Sequence, residues 1–176
     1  MAYRIQSRVG VAAPASAVWS VIGDLESWSE WNPLFPEVEG RLSVGGLVNV
    51  RRVLGDASEG YETRVVDWVP NAQIILARSI APFARSLTYL EIDPLTERGC
   101  ILAVGELYEG RFGEMIGKKM NRKLGPAFLA VCEAAKARAE ATWDGVPDEP
   151  VPPPTPPPAR KPAAPKLMAF SLRGKK

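Results

Sequence analysis

The sequence predicts an α+β fold in which an antiparallel sheet of seven strands is combined with one long C-terminal helix and two short helices after the first strand. Six strand-like segments separated by short turns fill the middle of the chain, and the apolar period becomes that of a helix after Gly110. Short turns between successive strands favour antiparallel neighbours over parallel strands joined by crossovers.

The N-terminal region predicts one strand followed by a divided helical segment. Residues Tyr3–Val11 alternate loosely between apolar and polar side chains, as in a half-buried strand. Apolar residues at helical spacing follow, with Pro14 at the first helical position. Gly23 predicts a division into two short helices, and Pro33 and Pro36 prevent the helical segment from continuing.

The central region predicts the rest of the sheet. Turn residues such as Gly45-Gly46 and Pro70-Asn71 separate its apolar segments. The predicted strands are 38–42, 47–54, 60–69, 73–80, 85–92 and 100–108.

One amphipathic helix is predicted after Gly110. Its apolar residues recur at helical spacing from Phe112 to Ala139, and basic side chains occupy mostly other positions. Gly125-Pro126 predicts a kink or a split within it. We interpret the basic cluster Lys118, Lys119, Arg122 and Lys123 as a solvated face, with attraction to an anionic membrane surface as the alternative.

The C-terminal segment has a different composition, which predicts a domain at 1–143 and a disordered, basic, proline-rich tail at 144–176. Ten of the 17 prolines lie between Pro147 and Pro165. Such a segment cannot bury a core, so it is expected to be extended and solvated. Proline-rich peptides also bind aromatic-lined grooves, so an adaptor role through the tail is an alternative function.

Composition narrows the function classes. The chain has no histidine, which excludes histidine-based nucleophile activation and most zinc sites. We therefore expect no metal and no cofactor. The formal charge is +2, with three acids and six bases from Asp144 onward, so the first 143 residues carry −1. A nearly neutral body predicts no nucleic-acid binding.

Location is predicted from two further features. No apolar segment approaches the roughly 18 residues of a membrane span, and the N-terminus lacks the apolar core of a signal peptide. Cys100 and Cys132 lie in apolar periodic segments, which is typical of reduced, buried thiols. We expect a cytoplasmic protein without stable membrane insertion.

Three segments carry a resemblance to a known superfamily: "VWSVIGDLESWSEWNPLFPEVEG" at 18–40, "RVVDWVPNAQIILAR" at 64–78 and "GELYEGRFGEMI" at 105–116. In order and spacing, residues 2–142 resemble the SRPBCC or START-like superfamily, which includes the birch-pollen allergen and the polyketide cyclase/dehydrase-type proteins. The resemblance implies the helix-grip fold, in which a curved seven-stranded sheet wraps the C-terminal helix and the two short helices close one end. It also implies an internal cavity for an apolar or amphipathic molecule, but no particular activity.

The candidate ligand-binding residues are aromatic, Met and charged side chains that such a cavity could gather. An indole ring combines a large apolar face with one N–H donor, so it suits a partly solvated cavity wall, and the flexible methionine side chain suits an adaptable apolar lining. Glu106 shares the strand parity of Val104, so an inward Val104 would direct this carboxylate inward as a candidate acid or base. The lining candidates are Trp28, Trp31, Phe35, Trp68, Tyr89, Met115 and Met120, with Arg64 and Glu106 as possible orienting groups.

Three functions are compatible with these features. The first is a binding protein for a lipid- or polyketide-like small molecule, without a clear catalytic signature. The second is a polyketide cyclase- or dehydratase-like enzyme in which Glu106 is the base. The third is the adaptor that acts through its proline-rich tail. For Trp28 and Trp31, packing that seals the end of the sheet is the alternative to lining or gating a cavity.

Overall fold

The computed structural model describes residues 2–150, and the predicted fold class is confirmed. Residues 151–176, which include most of the predicted proline-rich tail, lie outside the described part. The strands are β1 (Tyr3–Val11), β2 (Glu37–Gly40), β3 (Leu47–Leu54), β4 (Ala57–Val69), β5 (Gln73–Ala81), β6 (Ala84–Thr96) and β7 (Gly99–Gly110). The helices are α1 (Ala15–Ile22), α2 (Trp28–Trp31), which follows a 3₁₀ turn at Leu25–Ser27, and α3 (Gly113–Thr142).

All seven strands form one antiparallel sheet in the order β1-β7-β6-β5-β4-β3-β2. Because the strands from β2 to β7 form a meander, their connections alternate between the two ends of the sheet. The β3–β4 and β5–β6 hairpins and the start of α3 lie at one end, here called the hairpin end. The β4–β5 and β6–β7 turns and the start of α1 lie at the other, here called the helix-capped end.

Helix α3 packs against β1 and β7 on the inner face of the sheet. Its buried side chains include Leu124, Phe128 and Val131, each 0% exposed. Gly117 allows a close approach to β1, since a Cβ there would lie 2.6 Å from Cδ1 of Tyr3. Near its C-terminal end, Arg138 pairs with Glu30 of α2 at 2.6 Å, which closes the helix-capped end.

Of the kink or split predicted at Gly125-Pro126, the split is wrong: the helix runs through Pro126 without a break. Proline removes one backbone N–H from the helix interior, which costs stability but does not by itself end a helix. Beside Pro126, Ser7 Oγ of β1 donates a hydrogen bond to the Gly125 carbonyl at 3.0 Å and so ties this part of the helix to the sheet.

The contacts of the fold extend beyond the predicted domain end at residue 143. The backbone N–H and the hydroxyl of Ser16, in the first turn of α1, both donate to the Asp148 carboxylate. The Asp148 N–H donates in turn to the Glu97 carbonyl at 3.0 Å. Asp148 therefore supplies the carboxylate cap that α1 lacks in its own sequence, where Pro14 stands at the N-cap position.

Candidate functional site: a polar band in the grip

The inner face of the sheet changes from apolar to polar toward the hairpin end. Arg52, Arg78 and Glu106 each follow apolar residues of the same strand parity, and each lies closer to the hairpin end than those residues. Register then aligns the polar positions across the sheet, because Arg78 is opposite Ser86 and Ser86 is opposite Tyr108. We call these inward residues the polar band: Arg52, Glu59, Tyr61, Arg78, Ser86, Glu106 and Tyr108.

The charged groups of the polar band form a continuous chain of ion pairs. Arg52 is 5% exposed and contacts Glu106 Oε2 through Nη1 at 3.2 Å and Glu59 Oε2 through Nη2 at 3.0 Å. Arg78 Nη1 lies 3.3 Å from Glu59 Oε1, and its Nε donates to Ser86 Oγ at 3.4 Å. Glu59 is the member nearest solvent, with its side chain 57% exposed.

Tyr61 packs between the two arginines. The Arg78 guanidinium carbon lies 3.7 Å from the centroid of the Tyr61 ring, and that of Arg52 lies 5.4 Å away. Cation–π attraction therefore holds the phenol ring in place. Burial raises the pKa of Tyr61 despite the opposing charges of Arg52 and Arg78. Partial burial pushes the pKa of Glu59 upward, but the charges of Arg78 and Arg52 outweigh it and the pKa is lowered.

Two buried polar atoms at the inner end of this series of ion pairs have no hydrogen-bond partner among the described residues. They are Oε1 of Glu106 and the hydroxyl of Tyr108, and each residue is 1% exposed. Burial, then the negative charge of Glu106 and the approach of its carboxylate to the phenol, raises the pKa of Tyr108, so the phenol remains protonated and can donate. The site thus presents a carboxylate acceptor and a phenol donor that lie near each other without a partner at hydrogen-bond distance.

A small apolar cavity lies beside the polar band, toward the helix-capped end. Its volume is about 10 Å³, room for about one water molecule at most. Side chains therefore fill most of the interior that the sequence resemblance predicted to be a ligand cavity. The lining residues are Trp28, Phe35, Val50, Tyr61, Thr63, Leu76, Thr88 and Leu90.

The two neighbouring tryptophans occupy different environments at this cavity. Trp28 is 1% exposed, and its indole N–H donates to the Ile22 carbonyl at 3.0 Å. Trp31 is half-buried and lies edge-on to Trp28, with ring centroids 5.9 Å apart. The Asn32 side-chain carbonyl accepts hydrogen bonds from the N–H groups of Leu34 and Phe35, which fixes the turn after α2. Trp28 is thus a fixed wall of the small cavity.

A larger opening lies between the β3–β4 hairpin and α3, and we call it the hairpin–helix pocket. Its volume is about 160 Å³. Arg52 and Glu59 of the polar band form part of its wall, so the pocket connects solvent to the polar band. The other lining residues are Leu54, Ala57, Met120 and Lys123.

The structure brings together some of the predicted site residues. Glu106 is in the polar band, Met120 lines the hairpin–helix pocket, and Trp28 and Phe35 line the small cavity. Trp31 packs against the core beside Trp28 without lining either space.

Four predicted site residues lie elsewhere, and this part of the prediction needs correction. Met115 is 66% exposed on the solvent side of α3. Arg64 is exposed on the outer face and donates to the Gly45 carbonyl at 2.8 Å. Tyr89 lies over Gly105 on the outer face, where Arg4 covers its ring at 5.3 Å. Trp68 packs at the helix-capped end against Trp19, with ring centroids 6.2 Å apart.

A β-bulge explains why the parity of β4 could not be read from the sequence. The register shifts between Val65 and Asp67, so Trp68 lies opposite the buried Ile74 whereas Arg64 faces outward. One extra residue reverses which face the following side chains occupy.

Sequence reasoning missed Arg52, Glu59, Tyr61 and Ser86 as site residues. The alternation of Val48, Val50 and Arg52 in β3 was an available signal for an inward Arg52. No comparable signal existed for Glu59, because residues 55–60 read as a turn. In the structure only Gly55 and Asp56 form the turn, and β4 begins at Ala57.

Comparison with protein families gives one match over most of the chain. The model of the family described as "Polyketide cyclase / dehydrase and lipid transport" matches residues 2–140. No curated protein matches the sequence.

Comparison with solved structures gives further matches. The chain is similar to the Zhui aromatase/cyclase from Streptomyces sp. R1128, at 18% identity and a TM-score of 0.65, over 80% of this chain and 94% of that one. It is also similar to a START superfamily protein from Mycobacterium smegmatis, at 22% identity and a TM-score of 0.61, over 80% and 99%. Norcoclaurine synthase from Thalictrum flavum matches at 15% identity and a TM-score of 0.60, over 79% and 94%. At these identities, the likeness establishes the shared fold alone.

Proposed function

Because the chain belongs to the polyketide cyclase/dehydrase and lipid transport family, we propose that it binds a neutral, amphipathic small molecule at the hairpin end of the grip. The polar part of the ligand contacts the polar band, and its apolar part lies in the hairpin–helix pocket against Leu54, Ala57 and Met120. The binding site is thus beside the Arg52–Glu106 pair rather than in the small cavity against Trp28.

The two unpartnered atoms in the polar band carry this proposal. Buried polar groups in folded proteins nearly always have hydrogen-bond partners, because an unsatisfied one costs about 1–3 kcal/mol. Glu106 Oε1 accepts hydrogen bonds and the Tyr108 hydroxyl donates them. A ligand with a hydroxyl next to a carbonyl group would satisfy both atoms at once.

The charge balance of the polar band favours a neutral ligand over an anion. Arg52 and Arg78 are already paired with Glu59 and Glu106, so the four charges cancel. An added carboxylate or phosphate would leave an unpaired negative charge beside the buried Glu106, which is costly in a low-dielectric interior.

The size of the pocket limits what the present conformation can hold. Its 160 Å³ is below the roughly 300–1,000 Å³ of typical ligand sites. A polyketide- or lipid-sized ligand therefore requires the first half of α3 to move away from the β3–β4 hairpin. A smaller hydroxy-ketone would fit the pocket without such a movement, but it would reach Glu106 and Tyr108, which do not line the pocket, only after the Arg52 side chain moves aside.

Native mass spectrometry of the protein purified from its own cells, followed by solvent extraction of bound molecules, tests the binding role. Met120→Trp fills the hairpin–helix pocket, and Leu129→Trp places the same ring at a 46% exposed position of the same helix. We expect an added mass on the wild-type protein and on Leu129→Trp, and its loss in Met120→Trp. An added mass that Met120→Trp retains would contradict this location.

A second candidate is a dehydratase- or cyclase-like enzyme, favoured by the placement of a carboxylate and a protonated phenol in one site. Glu106 would take a proton from the carbon next to a carbonyl group, and Tyr108 would protonate the hydroxyl that leaves as water. The proton on Glu106 then returns to Tyr108, so both groups end as they began. If Glu106→Gln keeps ligand binding but stops loss of water from a β-hydroxy ketone, this function stands; unchanged turnover excludes it.

A protein partner for the proline-rich tail and a cytoplasmic location remain predictions. Deletion of 151–176 is the appropriate test of the tail, because it leaves the Asp148 cap of α1 in place. Loss of a partner without loss of ligand binding would support the adaptor role, and unchanged binding and location would exclude it.

A further inference from the structure

Three large apolar side chains are exposed at the hairpin end. Phe83 is 83% exposed at the tip of the β5–β6 hairpin, Met115 is 66% exposed and Phe112 is 42% exposed. The backbone joins the two elements that carry them, since the Arg111 N–H donates to the Phe83 carbonyl at 3.0 Å. The apolar side chains therefore extend over adjoining parts of one surface.

Basic side chains continue this surface along α3. Met115, Lys118, Lys119 and Arg122 are exposed and recur at intervals of three and four residues, so they share one helix face. We define the apolar–basic rim as Phe83, Phe112, Met115, Lys118, Lys119 and Arg122. Lys118 also pairs with Glu114 at 2.7 Å.

Positive charge is concentrated at the rim, although the first 143 residues as a whole are slightly negative. Residues 111–123 contain five bases and one acid, Glu114, although the first 143 residues together carry −1. The nearby acids offset little of this charge: Glu109 is paired with Arg85 at 2.7 Å, Glu59 is paired with Arg52 and Arg78, and Asp56 lies at the tip of the β3–β4 hairpin. This segment therefore has a local charge of +4 in a body that is slightly acidic.

We propose that the apolar–basic rim docks on an anionic bilayer surface. Phe83 and Met115 enter the boundary between headgroups and acyl chains, and Lys119 and Arg122 lie among the anionic headgroups. The attachment is peripheral, because no helix within residues 2–150 is long and apolar enough to cross a membrane. A bilayer fits better than a groove-binding peptide, because the apolar groups project from a hairpin tip and a helix start.

The rim and the hairpin–helix pocket share the same end of the grip. Lys123, the next exposed base after Arg122, lines that pocket together with Met120. Docking would therefore turn the pocket opening toward the bilayer. The docking proposal does not depend on ligand binding, because its evidence lies in exposed side chains and their charge.

Cosedimentation with phosphatidylglycerol/phosphatidylcholine vesicles, and with phosphatidylcholine vesicles alone, tests the proposal on the full chain. We expect binding only to the anionic vesicles. Lys119→Gln/Arg122→Gln should weaken it by about tenfold or more, since each base near such a surface contributes about 1 kcal/mol. Phe83→Ser/Met115→Ser should weaken it to a similar extent.

Matched controls separate position from total charge and hydrophobicity. Arg41→Gln/Lys136→Gln removes two bases away from the rim, and Val44→Ser/Leu95→Ser removes two apolar groups that are 68% and 60% exposed at the helix-capped end. Both control proteins should bind as the wild type does. Equal binding by all variants would show that another part of the chain attaches to the vesicles. Absence of binding to anionic vesicles would favour a protein partner for the rim. Either result would overturn the proposal.

An environment-sensitive dye at residue 83 provides a positive readout. The native thiols, Cys100 and Cys132, are buried, and burial raises the pKa of each to about 11, so they react slowly. Dye on Phe83→Cys should shift to the blue with anionic vesicles, whereas dye on Leu95→Cys should not. A shift at residue 95 alone would overturn the docking geometry.

Discussion

The two ends of the inner face differ in what their side chains contribute. Toward the helix-capped end, β5, β6 and β7 meet through Ile74, Leu90 and Val104, each no more than 1% exposed, and Trp28 closes the adjacent cavity. Toward the hairpin end, the same strands carry Arg78, Ser86 and Tyr108. The apolar end supplies stability through packing, whereas the polar end contains unpartnered groups whose burial costs free energy. On the proposed function, folding stability and ligand recognition would thus be separated along the strands.

The largest effect is expected at the polar end. Arg52→Met leaves Glu106 buried without its cation, which should lower the free energy of unfolding by about 3–5 kcal/mol. Urea denaturation measures the change. The double variant Arg52→Met/Glu106→Gln removes both charges and should recover most of the loss. If the double variant were no more stable than Arg52→Met, the unpaired charge of Glu106 would not be the cause of the destabilisation.

A smaller effect is expected for the tryptophan that seals the apolar end. Trp28→Phe loses the hydrogen bond to the Ile22 carbonyl inside the core and should cost about 1–3 kcal/mol. Trp31→Phe is the control, because its indole N–H lies 3.4 Å from the Ser27 hydroxyl in a half-buried position. Thermal unfolding should give a lower melting temperature for Trp28→Phe than for Trp31→Phe. Equal losses of stability would show that the two side chains contribute equally to the packing of this end.

The smallest effect concerns the pH dependence of the exposed member of the polar band. The pKa of Glu59 is lowered in the folded protein, so its ion pairs stabilise the fold above the unfolded-state pKa near 4.5. This contribution is lost as pH falls through the lower folded-state pKa. We expect the stability difference between wild type and Glu59→Gln to be largest near neutral pH and to shrink below pH 4.5. A difference that grows on acidification would contradict the sign of the shift.

The fold could be predicted from the sequence because its signals are local and agree with one another. Strand alternation, the turns at Gly45-Gly46 and Pro70-Asn71, and the change of period after Gly110 each depend on neighbouring residues. The inward direction of Glu106 could be predicted for the same reason, since β7 alternates without a bulge until Tyr108.

The rest of the site depends on relations that no local pattern contains. The bulge after Val65 places Arg64 and Trp68 on opposite faces of the sheet, although their spacing in the sequence gives them the same parity. The pairing of Arg52 with Glu106 joins residues 54 positions apart, on strands separated by β4, β5 and β6 in the sheet. Met115 and Met120 are indistinguishable by residue type, and only the rotation of α3 against the sheet places one in solvent and the other at the pocket.

That pair of methionines gives the most direct test of the ligand site. The chain contains four methionines, so protein labelled with ¹³C at the methionine methyl groups gives four signals, assigned by single Met→Leu substitutions. During titration with a neutral amphipath such as a medium-chain hydroxy-ketone, we expect the Met120 signal to shift and saturate while the Met115 signal stays in place. A saturable shift of Met115 with Met120 unchanged, or no saturable shift of Met120 with any neutral amphipath that binds, would contradict it.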